Sequence, residues 1–227
     1  MKRILLLLTL AVILVLACAT TVLASTYEVR IGDAELDGTD CYWENDGTVS
    51  EDSDDWNAYW DGSTLTLKDA EIEGTLELTC DPIIDVTIIL KGDNSIEADE
   101  VAVDAENYDL TIGGPCRLEI SAGIFGFYAD NLSVIIDADL DIQIEIPDLN
   151  TMFAGFMASS SLTIDDSSVS TRITSNDNDA QTAVFGFYAV NGIDIDSSDI
   201  YVDIQDSDEY FYSCGIYAVS GDLTIAD

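Results

Sequence analysis

Residues 184–204 read VFGFYAVNGIDIDSSDIYVDI, and nearly the same phrase stands at residues 153–173, FAGFMASSSLTIDDSSVSTRI. It begins again at residues 214–227, CGIYAVSGDLTIAD. Each complete copy contains three short runs in which apolar residues alternate with other residues, separated by pairs rich in Asn, Gly, Ser and Asp. A hydrophobic period of two is typical of β-strands, and these pairs suit tight turns. Each complete copy is therefore predicted to form three strands.

The central phrase of each copy, a polar residue between two apolar ones, recurs through most of the chain. Aligned on that polar residue, the phrases are spaced by 21 to 31 residues and centre on Thr66, Thr87, Thr111, Ser133, Thr163, Asp194 and Thr224. Internal periods in this range are typical of solenoids, in which each unit contacts its neighbours. The sequence predicts an all-β fold, a three-sided parallel β-helix with coils of about 21–31 residues.

Stacked coils are expected to share one apolar core, since no single coil is large enough to have its own. Two rows of inward residues are predicted to run across the coils: Leu110, Leu132, Leu162, Ile193 and Leu223 in one, and Leu118, Leu140, Val169 and Ile200 in the other.

The alternation also assigns individual side chains of the 184–204 copy and its neighbours to the core. Phe185, Phe187 and Ala189 are predicted to share the apolar face of the first strand. Cys116 and Cys214 fall on inward positions and are expected to be buried. A disulfide between Cys41 and Cys80 is left open.

The chain is expected to comprise a signal peptide, a cap and the repeat. Residues 1–24 combine a basic start, an apolar run and small residues before Ser25, which is typical of a cleaved export signal. A lipid-attachment site at Cys18 and an uncleaved anchor are the alternatives, and in each case the rest is secreted or lies at the cell surface. Residues 25–62 are predicted to cap the β-helix of residues 63–227, which is expected to be truncated at its C-terminus because no capping repeat follows.

Charge limits the classes of partner. The 227 residues include 45 Asp and Glu but 7 Lys and Arg, a formal net charge of −38 at pH 7. Nucleic acid and anionic membrane surfaces are therefore excluded as expected partners. A hydrophobic fraction of 48% argues against disorder.

The sequence contains little that points to catalysis. The chain contains no histidine, which excludes Ser-His-Asp and Cys-His catalysis and histidine-ligated zinc. A polysaccharide lyase needs a base, and the outward-pointing Arg172 is a candidate, but a solvated cation balancing nearby acids is the better interpretation. With so many acids, a suitably spaced carboxylate pair is no evidence for a glycoside hydrolase. No catalytic residue is predicted.

Calcium is the cation that the sequence favours. The connection from the third strand of one coil to the first strand of the next lengthens in the later coils, and these long turns are acidic. Hard cations take several oxygen ligands, so a Ca²⁺ site is predicted between two such turns, with ligands Asp177, Asp179, Asp206, Asp208 and Glu209. A solvated, mutually repelling loop is the alternative, since no complete ligand motif occurs.

The outward positions of the first strands predict a binding surface. Stacking would align Asp104, Tyr128, Met157, Tyr188 and Tyr217 in one row. Three tyrosines and a methionine form a flat amphipathic strip suited to sugar rings, so Tyr128, Met157, Tyr188 and Tyr217 are predicted to bind carbohydrate. Lateral packing that stabilises the sheet is the alternative.

Several phrases carry a family resemblance: TYEVRIG at 26–32, DGTVS at 46–50, STLTLKDAEIEG at 63–74, and the GFYA or GIYA that precedes later central phrases. They resemble secreted bacterial cell-surface proteins of the carbohydrate-binding domain-containing type. The resemblance implies a right-handed parallel β-helix that is exported and binds a polysaccharide or cell-surface glycan, and it supplies no catalytic motif. An enzyme acting on acidic polysaccharide and a structural stalk of a larger adhesin are the alternative functions.

Overall fold

A computed structural model describes residues 28–51, 54–79, 85–135, 137–146, 151–175, 183–205 and 212–226. The regular elements in these ranges are strands, and the fold is all-β with parallel sheets, as predicted. Among the described residues no helix is long and apolar enough to cross a membrane. The predicted signal peptide, residues 1–24, lies outside the described residues.

The strands follow one another closely along the chain. In chain order they are β1 Glu28–Ile31, β2 Ala34–Asp37, β3 Cys41–Trp43, β4 Val49–Ser50, β5 Ala58–Trp60, β6 Thr64–Lys68, β7 Glu71–Glu73, β8 Leu76–Leu78, β9 Val86–Lys91, β10 Asp93–Ala98, β11 Val101–Ala105, β12 Leu110–Gly113, β13 Arg117–Ala122, β14 Phe125–Ala129, β15 Leu132–Ile135, β16 Asp139–Ile146, β17 Met152–Ala158, β18 Ser161–Asp165, β19 Ser168–Ser175, β20 Ala183–Ala189, β21 Gly192–Asp196, β22 Asp199–Gln205, β23 Tyr212–Ala218 and β24 Leu223–Ala226.

These strands form three sheets. Sheet 1 has the order β2-β1-β8-β11-β14-β17-β20-β23, sheet 2 the order β24-β21-β18-β15-β12-β9-β6-β5-β3-β4, and sheet 3 the order β22-β19-β16-β13-β10-β7. From β6 onward the chain visits sheets 2, 3 and 1 in turn, so neighbours within a sheet are three strands apart and parallel. This arrangement is consistent with a parallel β-helix.

The two predicted rows of inward residues are confirmed. Leu162 pairs with Leu132 on one side and with Ile193 on the other, and all three are buried. In sheet 3, Val169 pairs with Leu140 and Ile200. Leu223 continues the first row on the edge strand β24, where 49% of it is exposed.

The turn between sheet 2 and sheet 3 repeats the same backbone conformation. Asp69, Asp137, Asp166 and Ser197 occupy equivalent places in it with φ between 45° and 60°. This left-handed region is accessible to Asp more readily than to most residues. The backbone N–H of Asp137 donates to the carbonyl of Asp166 in the next repeat at 2.7 Å. The turn therefore stacks from repeat to repeat as the strands do.

The alignment of Thr66 with Thr87 was wrong. Thr87 pairs with Thr64, and Thr66 pairs with Ile89, so the first repeat is displaced by two residues. A shift of two residues leaves the same side chains facing the core, and alternation therefore does not distinguish the two registers.

The inward assignments of Phe185 and Cys214 were also wrong. Gly186 and Phe187 both face inward: a Cβ on Gly186 would meet Val202 Cγ1 of sheet 3 at 2.5 Å, and Phe187 belongs to the core cluster. This break in alternation turns Phe185 to the outer side, where its ring packs against tyrosines, and Cys214 pairs with it in register. Cys116 does pack against the core but is partly exposed.

The N-terminal strands differ from the repeat in direction. β1 is antiparallel to β2 and β8, and β5 is antiparallel to β3 and β6. Trp43 and Trp60 are buried against the core, at 4% and 0% exposure. Residues 28–60 thus extend sheets 1 and 2 with antiparallel strands.

Candidate functional site

The four residues predicted to bind carbohydrate lie side by side on sheet 1. Tyr128 on β14 pairs with Met157 on β17, Met157 with Tyr188 on β20, and Tyr188 with Tyr217 on β23. All four are partly exposed. We call Tyr128, Met157, Tyr188 and Tyr217 the tyrosine strip.

The sequence did not predict that Phe185 lies within this surface. Its ring centroid is 5.1 Å from that of Tyr188 and 5.3 Å from that of Tyr217, and these two tyrosine rings lie 5.8 Å apart at 30°. Phe185 is 4% exposed although it is outside the core cluster, because the tyrosines cover it. Buried aromatic contacts of this kind fix ring orientations. The strip is therefore preorganised at this end.

Tyr212 is a further aromatic residue at the same end that the sequence analysis missed. Its ring lies 5.9 Å from Phe185 and 6.3 Å from Tyr217, and 56% of the residue is exposed. Its position at the start of β23, five residues before Tyr217, could have indicated that it belongs to the same surface.

The middle of the strip lacks the second aromatic residue that is found at its ends. Phe125 packs 5.6 Å from Tyr128 at one end, as Phe185 packs beside Tyr188 at the other. The equivalent position between them is Ala154, which pairs with both phenylalanines. Ala154 is fully buried, so the aromatic packing found at both ends is interrupted beside Met157.

Carboxylates accompany the strip at the Tyr128 end. The Tyr128 hydroxyl donates to Glu106 Oε1 at 3.1 Å, and burial together with this hydrogen bond raises the pKa of the phenol. Asp104, predicted at the head of the same row, does pair with Tyr128. Its pKa is also raised, chiefly by burial, with contributions from the charges of Glu106 and Glu77. Acceptors for hydroxyl groups therefore lie next to an aromatic face.

The predicted calcium ligands Asp177, Asp179, Asp206, Asp208 and Glu209 lie outside the described residues. Within the described ranges, no group of three or more Asp, Glu, Cys or His side chains is placed to hold a metal ion.

The other residues considered in the sequence analysis are the catalytic-base candidate Arg172 and the cysteines of the suggested disulfide. Arg172 Nε lies 3.7 Å from Asp203 Oδ2, as expected for a cation near acids. The Cys41 thiol is buried and free, and it donates to the carbonyl of Asp37 at 3.0 Å. Burial and the charge of Asp37 raise the pKa of this thiol. Cys80, its suggested disulfide partner, lies outside the described residues.

Comparison with protein-family models, curated proteins and solved structures finds no match for this chain.

Proposed function

We propose that this chain is an exported, non-catalytic binding protein for a polysaccharide or cell-surface glycan, and that the tyrosine strip is its contact surface. The observation that carries the proposal is the register of sheet 1. It places Tyr128, Met157, Tyr188 and Tyr217 on four neighbouring strands, with Phe185 packed against two of the tyrosines.

The scaffold we propose is a right-handed parallel β-helix in which residues 25–62 cap the first coil. The recurring visit to sheets 2, 3 and 1 supports three-strand coils. Right-handed crossovers are strongly preferred between parallel strands. The cap is supported by the antiparallel pairing of β1 with β8 and of β5 with β6, since these strands cover the edges of the first parallel ones.

This scaffold suits an extended saccharide. Neighbouring strands lie about 4.8 Å apart, so the strip offers one side chain per strand along the line of stacking. That spacing is comparable to the length of one pyranose unit. Tyrosine rings offer apolar faces to the C–H side of a sugar. Glu106 and Asp104 would accept hydrogen bonds from sugar hydroxyls at the Tyr128 end.

Two further features belong to the proposal. The leader of residues 1–24 would export the chain, and the surface beyond it would meet glycans outside the cell. Calcium would bind to the acidic turns that contain Asp177, Asp179, Asp206, Asp208 and Glu209, which precede β20 and β23 in the chain. A cation bound there would reduce the repulsion between the carboxylates of these turns, which are close to the strip in the sequence.

The test is a glycan array screened with residues 25–227, followed by affinity measurement on the best ligand. Replacing Tyr188 and Tyr217 together by Ala should weaken binding at least about tenfold, because each ring contact contributes on the order of 1 kcal/mol. The matched control is Tyr201→Ala on sheet 3, which removes a tyrosine that is 54% exposed away from the strip.

Circular dichroism and the melting temperature would establish that both variants remain folded. An array without any hit, or equal affinity of the double variant and the control, would contradict the proposal.

A further inference from the structure

A second aromatic cluster lies on sheet 2, in the N-terminal strands. The Tyr42 and Tyr59 rings are stacked with centroids 4.7 Å apart, and these residues pair across β3 and β5. Trp56, in the segment before β5, lies 6.2 Å from Tyr42 and 6.0 Å from Tyr59. All three residues are partly exposed. The two tyrosine rings face each other, and the Trp56 ring is tilted by 53° to Tyr42 and by 52° to Tyr59. We call these three rings the aromatic group.

Two lysines adjoin this aromatic group. Lys68 Nζ lies 4.7 Å from the centroid of the Trp56 ring, and Lys91 Nζ lies 6.0 Å from it. The two residues are register partners on β6 and β9, and both ammonium groups lie beside the same ring. We call Tyr42, Trp56, Tyr59, Lys68 and Lys91 the tryptophan–lysine cluster.

These lysines differ from the arginines of the chain in their partners. Each arginine that the structure describes forms a salt bridge: Arg30 with Glu35 and Glu77, Arg117 with Asp141 and Glu119, and Arg172 with Asp203. Neither lysine forms a salt bridge within the described ranges. In a chain with 45 Asp and Glu, two lysines that have no carboxylate partner among the described residues remain available to an anionic ligand.

The cluster is held rigidly by two asparagines. Asn57, next to Trp56, donates from Nδ2 to the carbonyls of Lys68 and Asp69 at 3.1 Å. Asn45 donates to the Asp69 carbonyl at 3.1 Å and accepts from the backbone N–H of Glu71 at 2.9 Å. The segment that carries Trp56 is therefore tied to the strand that carries Lys68. A preorganised surface loses little conformational entropy when it binds.

We infer that the tryptophan–lysine cluster is a binding site for a carboxylated sugar, such as a uronic acid residue of an acidic polysaccharide. The aromatic group would contact C–H groups of the sugar ring, and the ammonium groups of Lys68 and Lys91 would bind its carboxylate. The site lies on sheet 2 and the tyrosine strip on sheet 1, so this inference does not depend on the proposed function of the strip.

Charge argues for an acidic sugar over a neutral one. A neutral sugar would offer the two ammonium groups uncharged hydroxyl oxygens, whereas a carboxylate would form stronger hydrogen bonds in which both partners are charged. One carboxylate adjoins the aromatic group, since the Tyr59 hydroxyl donates to Asp40 Oδ1 at 2.6 Å, whereas both ammonium groups adjoin Trp56. The charge of more distant carboxylates is screened beyond about 8 Å at physiological ionic strength. The carboxylate of a bound sugar would contact the two lysines at a distance much shorter than about 8 Å.

The experiment is calorimetric titration of residues 25–227 with a short oligogalacturonate. The buffer contains EDTA, because divalent cations would otherwise bridge an acidic protein to an acidic sugar. The variant Lys68→Gln/Lys91→Gln should bind about tenfold or more weakly, since it removes two charge-assisted contacts. The matched control Arg117→Gln/Arg172→Gln makes the same change in net charge and should keep the affinity within about twofold.

Tryptophan fluorescence gives an independent reading of the same site. Trp43 and Trp60 are buried, so a sugar that stacks in the cluster should change the emission of Trp56. This change should vanish in Trp56→Phe, whose melting temperature shows whether the fold is intact.

Three results would overturn the inference: absence of binding in EDTA, equal loss of affinity in the lysine and arginine variants, or binding of an oligoglutamate peptide as tight as that of the sugar. The last result would show that the cluster binds carboxylates of peptides and has no preference for sugars.

Discussion

The tyrosine strip and the tryptophan–lysine cluster are both aromatic surfaces, but they are assembled in different ways. The strip takes one residue from each of four parallel strands, at the same place in each repeat. The cluster takes its rings from two antiparallel strands and the segment before β5, and its cations from two further strands. A repeat therefore builds a uniform, extended surface, whereas the N-terminal strands build a compact one with mixed chemistry.

The largest expected effect comes from disturbing the stacking of the repeats. The tyrosine strip depends on this stacking, whereas the tryptophan–lysine cluster does not. A Cβ on Gly186 would meet both Val202 Cγ1 and the carbonyl oxygen of Gly215 at 2.5 Å. Gly186→Ala should lower the free energy of unfolding by about 2–3 kcal/mol, a typical cost of overpacking. Glycan binding at the strip should weaken, while oligogalacturonate binding at the distant cluster should survive.

Gly215→Ala is the matched control for this overpacking. The same atom added at Gly215 would have Val202 Cγ1 as its nearest neighbour at 3.9 Å, an ordinary contact. Chemical denaturation of both variants measures the difference. Equal stability of the two would show that the repeats do not pack against one another as described.

A smaller effect concerns calcium. If the acidic turns hold Ca²⁺, the ion should stabilise the protein by about 1 kcal/mol at a few times its Kd. The melting temperature should then rise more than in a sodium control of equal ionic strength, and glycan binding at the strip should strengthen. Oligogalacturonate binding to Lys68 and Lys91 should not need the ion. Equal rises in calcium and sodium would reduce the effect to screening.

The smallest effect concerns Asp104, which is the register partner of Tyr128 at the end of the tyrosine strip. Its pKa is raised in the folded protein, mainly by burial. The folded state therefore binds this proton more tightly than the unfolded state, and the stabilisation from this group is lost as the pH rises through the raised pKa. Asp104→Asn should raise stability at pH 7 by about 0.5 kcal/mol, a value reduced for partial exposure.

This gain should disappear below about pH 3, where the aspartic acid itself is protonated. Asp99→Asn removes the same charge from an exposed position and is the matched control. Thermal unfolding of both variants across pH 3 to 7 checks the prediction, and a gain in Asp104→Asn that does not change with pH would contradict it.

The repeat could be predicted from the sequence because its information is local and recurrent. Alternation shows which side chains face inward, and the recurring phrase aligns residues such as Leu162 with Ile193 and Tyr188 with Tyr217. Phe185 was missed because the run from Val184 to Phe187 is apolar throughout, apart from Gly186, and does not reveal where the alternation breaks.

The tryptophan–lysine cluster was not predicted at all. Tyr42, Trp56 and Lys91 are far apart in the chain and occur outside the shared phrase, so no repeat aligns them. Their proximity depends on the antiparallel pairing of β3, β5 and β6, and neither composition nor spacing fixes that register.

The central claim is that equivalent residues of successive repeats lie side by side, and paired cysteines test it most directly. Thr163 and Asp194 are register partners on β18 and β21. Parallel neighbours about 4.8 Å apart are within the range of about 4.4–6.8 Å that a disulfide requires. Thr163→Cys/Asp194→Cys should therefore form a disulfide on mild oxidation, as mapped by mass spectrometry, and Thr163→Cys/Asp196→Cys should not. Formation of the second disulfide in preference to the first would contradict the account.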